Sequence, residues 1–264
     1  MSLRLVLLVV VLAAVTLLFL PLQLLAMRFA PRHAGLLPML WQRVARFMLG
    51  MKVRVEGVPT TARPLLLVAN HVSWLDIVTL GSVMPVSFIA KQEVAGWPVV
   101  RHLARLQRSV FIDRTRRSAT AGDGAAIAAR LAGGEALVLF AEGTTGDGVQ
   151  VLPFRSALVG AAARELGEGA ITLQPVAIAY TALQGLPIGR LRMSDVAWHG
   201  DMDLAPHLAA LVSTGAIDAV VSFGTPVVLA APGDRKRVTA AAETEVRSMV
   251  RAVRASRGRT ATPA

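Results

Sequence analysis

The 264-residue chain contains no cysteine and no Gly-x-Ser-x-Gly segment. A catalytic thiol is therefore excluded, and the usual serine nucleophile has no elbow on which to sit. Aromatic residues make up 5% of the sequence, with a single tyrosine. That scarcity, and the lack of any nucleic-acid-binding motif, argues against nucleic acid as a partner. The five histidines show no zinc-type spacing, so no metal is expected. Acidic side chains are also few: 17 Asp and Glu face 28 Lys and Arg, a net charge of +11. A surface of that sign suits an anionic bilayer or an anionic substrate.

What the chain has in excess is apolar. Hydrophobic residues are 54% of the total and the mean hydropathy is +0.54. Much of this lies in Leu5–Leu25, a run interrupted only by Thr16, Pro21 and Gln23. As a helix it spans about 30 Å at about 1.5 Å per residue, enough for the hydrocarbon core of a membrane. A cleaved signal peptide is the rival reading; the length of the run and the want of a small-x-small site after it favour a retained anchor. Arg28, Arg32, Arg43, Arg46, Lys52 and Arg54 follow the run, and only Arg4 precedes it. The positive-inside rule then places the rest of the chain on the cytoplasmic face of an inner membrane. Leu36, Leu37, Leu40, Val44, Phe47 and Met48 recur at helical spacing, which predicts an amphipathic helix for the headgroup region. The two segments suit either one crossing or a hairpin dipping into one leaflet. Residues 1–50 are thus read as membrane-anchoring helices, 51–256 as a catalytic domain and 257–264 as a disordered tail.

Beyond residue 50, short apolar runs alternate with helical patterns. Leu65–Ala69, Val86–Ala90, Ser109–Ile112, Ala136–Phe140, Leu173–Ala179 and Ala219–Phe223 read as strands, with Lys52–Glu56 as an edge strand. Helices are expected over Ser73–Met84, Trp97–Leu106, Arg117–Leu131, Phe154–Leu166 and Arg235–Ser256. The pattern predicts a layered α/β sandwich with a largely parallel or mixed sheet. In such sheets ligands bind at the carboxyl ends of parallel strands. His71, Lys91, Arg114 and Glu142 each follow a strand, so one cleft can gather them.

The segment Asn70-His71-Val72-Ser73-Trp74-Leu75-Asp76 is the most telling. A histidine at a strand end with a carboxylate five residues on can be held in one tautomer and poised as a base. The same letters also read as a helix start, Ser73 and Asp76 forming a capping box, and Asp76 is able to serve both ends. Three later blocks bear on the choice: Arg108-Ser109-Val110-Phe111-Ile112-Asp113-Arg114, then Phe140-Ala141-Glu142-Gly143-Thr144-Thr145-Gly146-Asp147-Gly148, then Leu173-Gln174-Pro175-Val176-Ala177-Ile178-Ala179-Tyr180.

In this order and at these spacings the four blocks resemble the glycerolipid acyltransferases typified by 1-acylglycerol-3-phosphate acyltransferase. The resemblance covers roughly residues 50 to 225. It implies that His71 is the general base and Asp76 its orienting partner. It further implies that Asn70, Lys91, Arg114, Glu142, Gly143, Thr144 and Thr145 hold substrate, Asn70 by fixing the His71 turn. One position departs from the pattern. The family's third block continues Glu-Gly-Thr-Arg, and here Thr145 stands where the arginine would be. Arginine grips phosphate through two parallel hydrogen bonds, which threonine cannot supply. The sequence Glu-Gly-Thr-Thr-Gly-Asp-Gly, with Trp198-His199-Gly200-Asp201-Met202 and Ser222-Phe223-Gly224-Thr225-Pro226, resembles the branch acting on lyso-ornithine lipid, an acceptor without phosphate.

The implied activity is transfer of a fatty acyl group from acyl carrier protein or coenzyme A to a lysolipid hydroxyl, with the thioester as substrate and no cofactor. Lysophosphatidate is the other acceptor in view. Hydrolysis by a thioesterase or lysolipase, and a non-catalytic lipid-binding protein on the same fold, are the rival functions. His33, His102, His199 and His207 read as structural or surface residues.

Overall fold

The computed structural model describes residues 2–112, 127–164, 170–229 and 234–260. Two helices come first, α1 (Leu3–Phe29) and α2 (Leu36–Met48). Then follow β1 (Met51–Glu56), β2 (Leu65–Ala69), α3 (Leu75–Gly81), β3 (Ser87–Lys91), α4 (Pro98–Leu106) and β4 (Val110–Ile112). Helix α5 is described over residues 127–132 and leads into β5 (Ala136–Phe140), α6 (Ser156–Arg164) and β6 (Ile171–Leu183). The short β7 (Leu186–Pro187), α7 (Leu204–Thr214), β8 (Ile217–Phe223), β9 (Val227–Leu229) and α8 (Arg235–Thr260) complete the chain.

The sheet order is β1-β8-β6-β2-β5-β3-β4, with β7 and β9 also paired to β6. Strands β2 to β6 run in one direction; β8 is antiparallel to β6 and parallel to β1. The sheet is therefore mixed, with a parallel centre. Central β2 and β5 are buried along their whole length, which is why both read as unbroken apolar runs. Their side chains still alternate. Leu65, Leu67 and Ala69 join Val138 and Phe140 in one apolar cluster, together with Leu75 and Val78 of α3, Leu211 of α7 and Leu8 of α1. Leu66, Val68, Leu137 and Leu139 point the other way, to Leu131 of α5, Val159 of α6 and Val238, Val246 and Val250 of α8. The strand's period of two thus produces three layers.

Helices α1 and α2 share a core with the sheet rather than forming one of their own: Leu8, Ala45 and Leu49 belong to the same buried cluster as Leu65. The polar interruptions of the first apolar run become ties. Gln23 donates from Nε2 to the carbonyls of Ala34 (2.9 Å) and Leu106 (2.8 Å), and Trp41 Nε1 donates to Thr16 Oγ1 (2.9 Å).

Several boundaries differ from the sequence expectation. The helix after His71 begins at Leu75, not Ser73, and ends at Gly81. Strand β6 continues to Leu183, where pairing with β8 carries it past the parallel core. Helix α7 was not expected; its Leu204–Thr214 segment lies between two motif-like blocks that drew the reading elsewhere. Helix α8 runs to Thr260, beyond Ser256, so the expected tail is helical at its start; residues 261–264 lie outside the described residues. Arg114 and the first part of the Arg117–Leu131 helix also lie outside them.

Candidate active site

The site is assembled where β2 ends. Asn70, the first residue past the strand, is buried and turns its amide onto β6. Its Nδ2 donates to the Ile178 carbonyl (2.9 Å) and its Oδ1 accepts from the Ile178 amide (2.8 Å). One side chain thereby extends the ladder by a step and fixes where the next residue emerges. His71 donates from its backbone N–H to Glu142 Oε1 (3.2 Å), and its carbonyl accepts from the Gly146 amide (2.8 Å). Its ring lies flat on Phe140, 3.9 Å between centroids with planes 10° apart.

Asp76 is the centre of the polar network and is fully buried. Oδ2 lies 2.7 Å from His71 Nδ1 and accepts from the amides of Val72 (2.7 Å) and Ser73 (3.0 Å). Oδ1 accepts from the Tyr180 hydroxyl (2.7 Å). With two amides and a hydroxyl all donating, Asp76 is an acceptor, so His71 Nδ1 carries the proton. The opposite nitrogen, Nε2, then keeps its lone pair, and the imidazole edge is part of a cavity wall. Asp76 thus combines the two roles read in the sequence: it satisfies the free amides at the start of α3 and orients the base. Only half of the capping box forms: Asp76 accepts from the Ser73 amide, while the Asp76 amide donates to the Ser73 carbonyl (3.0 Å) and the Ser73 hydroxyl is buried without a partner.

Glu142 follows β5 and is 2% exposed. Only Oε1 is partnered, by the His71 amide, and burial together with the charge of Asp76 raises its carboxyl to about 8. Burial also raises the Tyr180 hydroxyl well above its usual range, with the Asp76 charge adding to the effect. Gly143 has φ of +75°, and a Cβ there would sit 3.1 Å from Arg155. Glycine is what lets the chain turn here and bring Thr144 and Thr145 into the cavity wall that His71 also lines.

That cavity has a volume of about 680 Å³. At the carboxyl ends of β2, β3 and β5 its wall is His71, Lys91 and Gly143–Thr145, with Trp198 nearby. Elsewhere the wall is mostly apolar, with Leu12 and Phe19 from α1, Leu37 and Trp41 from α2, Leu103 from α4 and Phe88 from β3, and a few polar side chains such as Gln23 and Gln107 between them. Of the residues singled out in the sequence, the fold brings His71, Lys91, Gly143, Thr144 and Thr145 to one surface. Asn70, Asp76 and Glu142 stand behind it, fully or nearly fully buried. Asn70 fixes the His71 turn through the Ile178 backbone, as the sequence implies, and Glu142, expected to bind substrate, lies beneath the base with Oε1 on the His71 amide.

Sequence reasoning missed Phe140, Tyr180 and the tryptophan layer. Trp74 lines the cavity and donates to His207 Nδ1 (3.0 Å), so His207 supports the wall from behind. Trp97 and Trp198 meet edge to face, with centroids 6.0 Å apart. Phe140 ended a quoted block and Tyr180 closed another, but nothing local marks either as a partner of His71.

The comparisons with known proteins agree with this geometry. A family model described as Acyltransferase matches residues 52–179, a span that holds His71, Asp76 and the Glu142–Gly146 loop. The lyso-ornithine lipid O-acyltransferase of Brucella abortus is 44% identical over 252 residues, 94% of each chain. That of Rhizobium meliloti is 42% identical over 242 residues, 90% of this chain and 83% of its own. In fold, the chain is similar to the crystal structure of the 1-acyl-sn-glycerophosphate (LPA) acyltransferase PlsC from Thermotoga maritima, with a TM-score of 0.59, 21% identity and coverage of 98% and 97%. Sequence likeness on this scale runs far past the motif into both flanking layers, and it makes the chain a member of the acyltransferase family and an O-acyltransferase.

Proposed function

We propose that this acyltransferase esterifies the free hydroxyl of lyso-ornithine lipid, at a membrane surface, with an acyl thioester of acyl carrier protein or coenzyme A as donor. The observation that carries the acceptor assignment is Thr145. It lies in the cavity wall with His71, at the position where the wider family has an arginine suited to phosphate. The relatives from Brucella abortus and Rhizobium meliloti support the same acceptor.

The arrangement performs the transfer directly. His71 Nε2 takes the proton of the acceptor hydroxyl as its oxygen attacks the thioester carbonyl. Among the described residues, the amides of Thr144 and Thr145 have no partner within the fold, and both residues belong to the same cavity wall. They are donors for the oxyanion of the tetrahedral intermediate. Collapse expels the thiolate, which recovers the proton from the imidazolium. Asp76 holds the ring through both proton transfers.

Membrane association rests on α1, a 27-residue helix with one stripe turned inward and the rest bare. Leu8, Leu12, Thr16, Phe19 and Gln23 face the cavity, while Leu7, Val10, Leu17, Leu18 and Leu24 are exposed. A helix bonded to the catalytic layers along this stripe supports insertion into one leaflet over an isolated crossing. The basic residues that follow it favour the cytoplasmic face of the inner membrane.

The test is an acyl-transfer assay on purified protein offering lyso-ornithine lipid and lysophosphatidate side by side with one donor. Preference for the ornithine lipid is expected. Preference for lysophosphatidate would transfer the acceptor role to Lys91 and overturn the reading of Thr145. Acyl release without acceptor would favour the hydrolase.

A further inference from the structure

We propose that Tyr180, the chain's single tyrosine, is a positioning residue that sets the strength of His71 as a base by way of Asp76. The residue lies on β6, 104 positions from Asp76 in sequence, and is 1% exposed. Its hydroxyl donates to Asp76 Oδ1 at 2.7 Å, the oxygen that His71 does not use. Thr79 Oγ1 stands 3.4 Å from the same hydroxyl. Since the one phenolic proton is committed to Asp76, Thr79 is on the donating side of that contact. Thr79, Tyr180, Asp76 and His71 thus form a buried line ending at the reacting nitrogen.

The physical consequence has a definite sign. A hydrogen bond to a carboxylate stabilises its charge and weakens its pull on a neighbouring proton. While Tyr180 donates to Oδ1, Asp76 holds the imidazolium less strongly, and His71 gives up its proton at lower pH than it otherwise would. Other charged groups near the line are accounted for separately. Glu142 meets His71 at its backbone amide, Lys91 and Glu93 line the shared cavity, and His207 bonds to Trp74. None of them contacts Asp76 in place of Tyr180.

The inference rests on the acyl-transfer reading of the site, and its test uses the singularity of the tyrosine. Expression on 3-fluorotyrosine replaces Tyr180 and no other residue. Fluorination makes the hydroxyl a stronger donor and preserves the shape of the ring. Tyr180→Phe removes the donor. For Tyr180→Phe, the acid limb of the pH–rate profile is expected to move up by about half a unit or more, so that kcat falls about threefold on that limb with KM unchanged. The fluorinated protein should move the same limb down. Opposed shifts support the proposal, because a side chain that only fills space has no reason to produce them. An acid limb that stays put in both proteins, or moves the same way in both, overturns it. If Tyr180→Phe does not fold, the direction of the fluorotyrosine shift decides alone. Should the wild type transfer no acyl group, the acyl-transfer reading falls. The same proteins are then compared by NMR titration of the His71 ring carbons, where opposed midpoint shifts uphold the role of Tyr180 and coincident midpoints overturn it.

Discussion

The catalytic end of the cavity and its apolar wall are built in different ways. Around Asp76 both carboxylate oxygens are engaged, and His71 is held through its ring, its amide and its carbonyl. Along α1 and α2 the contacts are mostly apolar, with Gln23 and the Thr16–Trp41 pair as directed ties. Directed bonds restrict a base to a small range of positions, which proton transfer requires. Dispersion and burial fix no such geometry, and a wall that receives flexible hydrocarbon has less need of it. The contrast gives an ordering of effects that mutation can break or sharpen.

The largest effect is expected at the directed end. His71→Ala should lower turnover by about 10²–10⁴, the usual contribution of a general base. Near-wild-type rates in that variant, measured with saturating donor and acceptor, would remove the mechanism altogether. Asn70→Ala comes next. It leaves the amide and carbonyl of Ile178 without partners in a buried setting, at about 1–3 kcal/mol for each unsatisfied group. Urea unfolding should show a lower midpoint at unchanged slope; an unshifted midpoint would mean that water or a neighbour replaces the amide.

A smaller change is expected on the apolar side. Gln23→Leu frees the carbonyls of Ala34 and Leu106 and should cost about 1–3 kcal/mol, eased by the apolar character of the replacement. Turnover should change less than in His71→Ala, with the effect read in thermal stability and in preference for chain length. If this variant instead loses activity as deeply as His71→Ala, the two ends are not separable as described.

The smallest effect at neutral pH belongs to Glu142→Gln. The amide keeps an acceptor for the His71 N–H, and the wild-type carboxyl, raised to about 8, is already protonated. Its signature is pH dependence. The folded state keeps the proton up to about 8, whereas the unfolded chain releases it near the ordinary 4.5. The stabilisation from that proton is complete below 4.5 and is lost as pH rises through about 8. Melting temperatures between pH 5 and 9 should fall more steeply for wild type than for Glu142→Gln. Parallel curves would mean that Glu142 is ionised despite its burial.

How far the site was legible followed the range of each contact. His71 and Asp76 are five residues apart on one turn, so spacing alone brought them together. The glycine-rich loop after β5 was equally plain, because a strand ending in Glu-Gly has to turn sharply. Tyr180 was invisible, since its contact spans 104 residues and depends on β6 lying beside β2. Ser73 was legible by half: Asp76 does accept from the Ser73 amide, as the spacing implied. Only the three-dimensional positions show that the Asp76 amide bonds the Ser73 carbonyl and leaves the hydroxyl out.

By itself the sequence determined the elements and their faces: apolar runs of five for buried strands, a long apolar helix at the start, and a base with its carboxylate in one short segment. Those features depend on local sterics and on burial, which act over a few residues. The tertiary structure decided that Glu142 stands beneath the base instead of beside the substrate, that α1 forms a cavity wall, and that one tyrosine closes the polar line. These depend on which strands become neighbours, a choice made by packing the whole apolar surface at once.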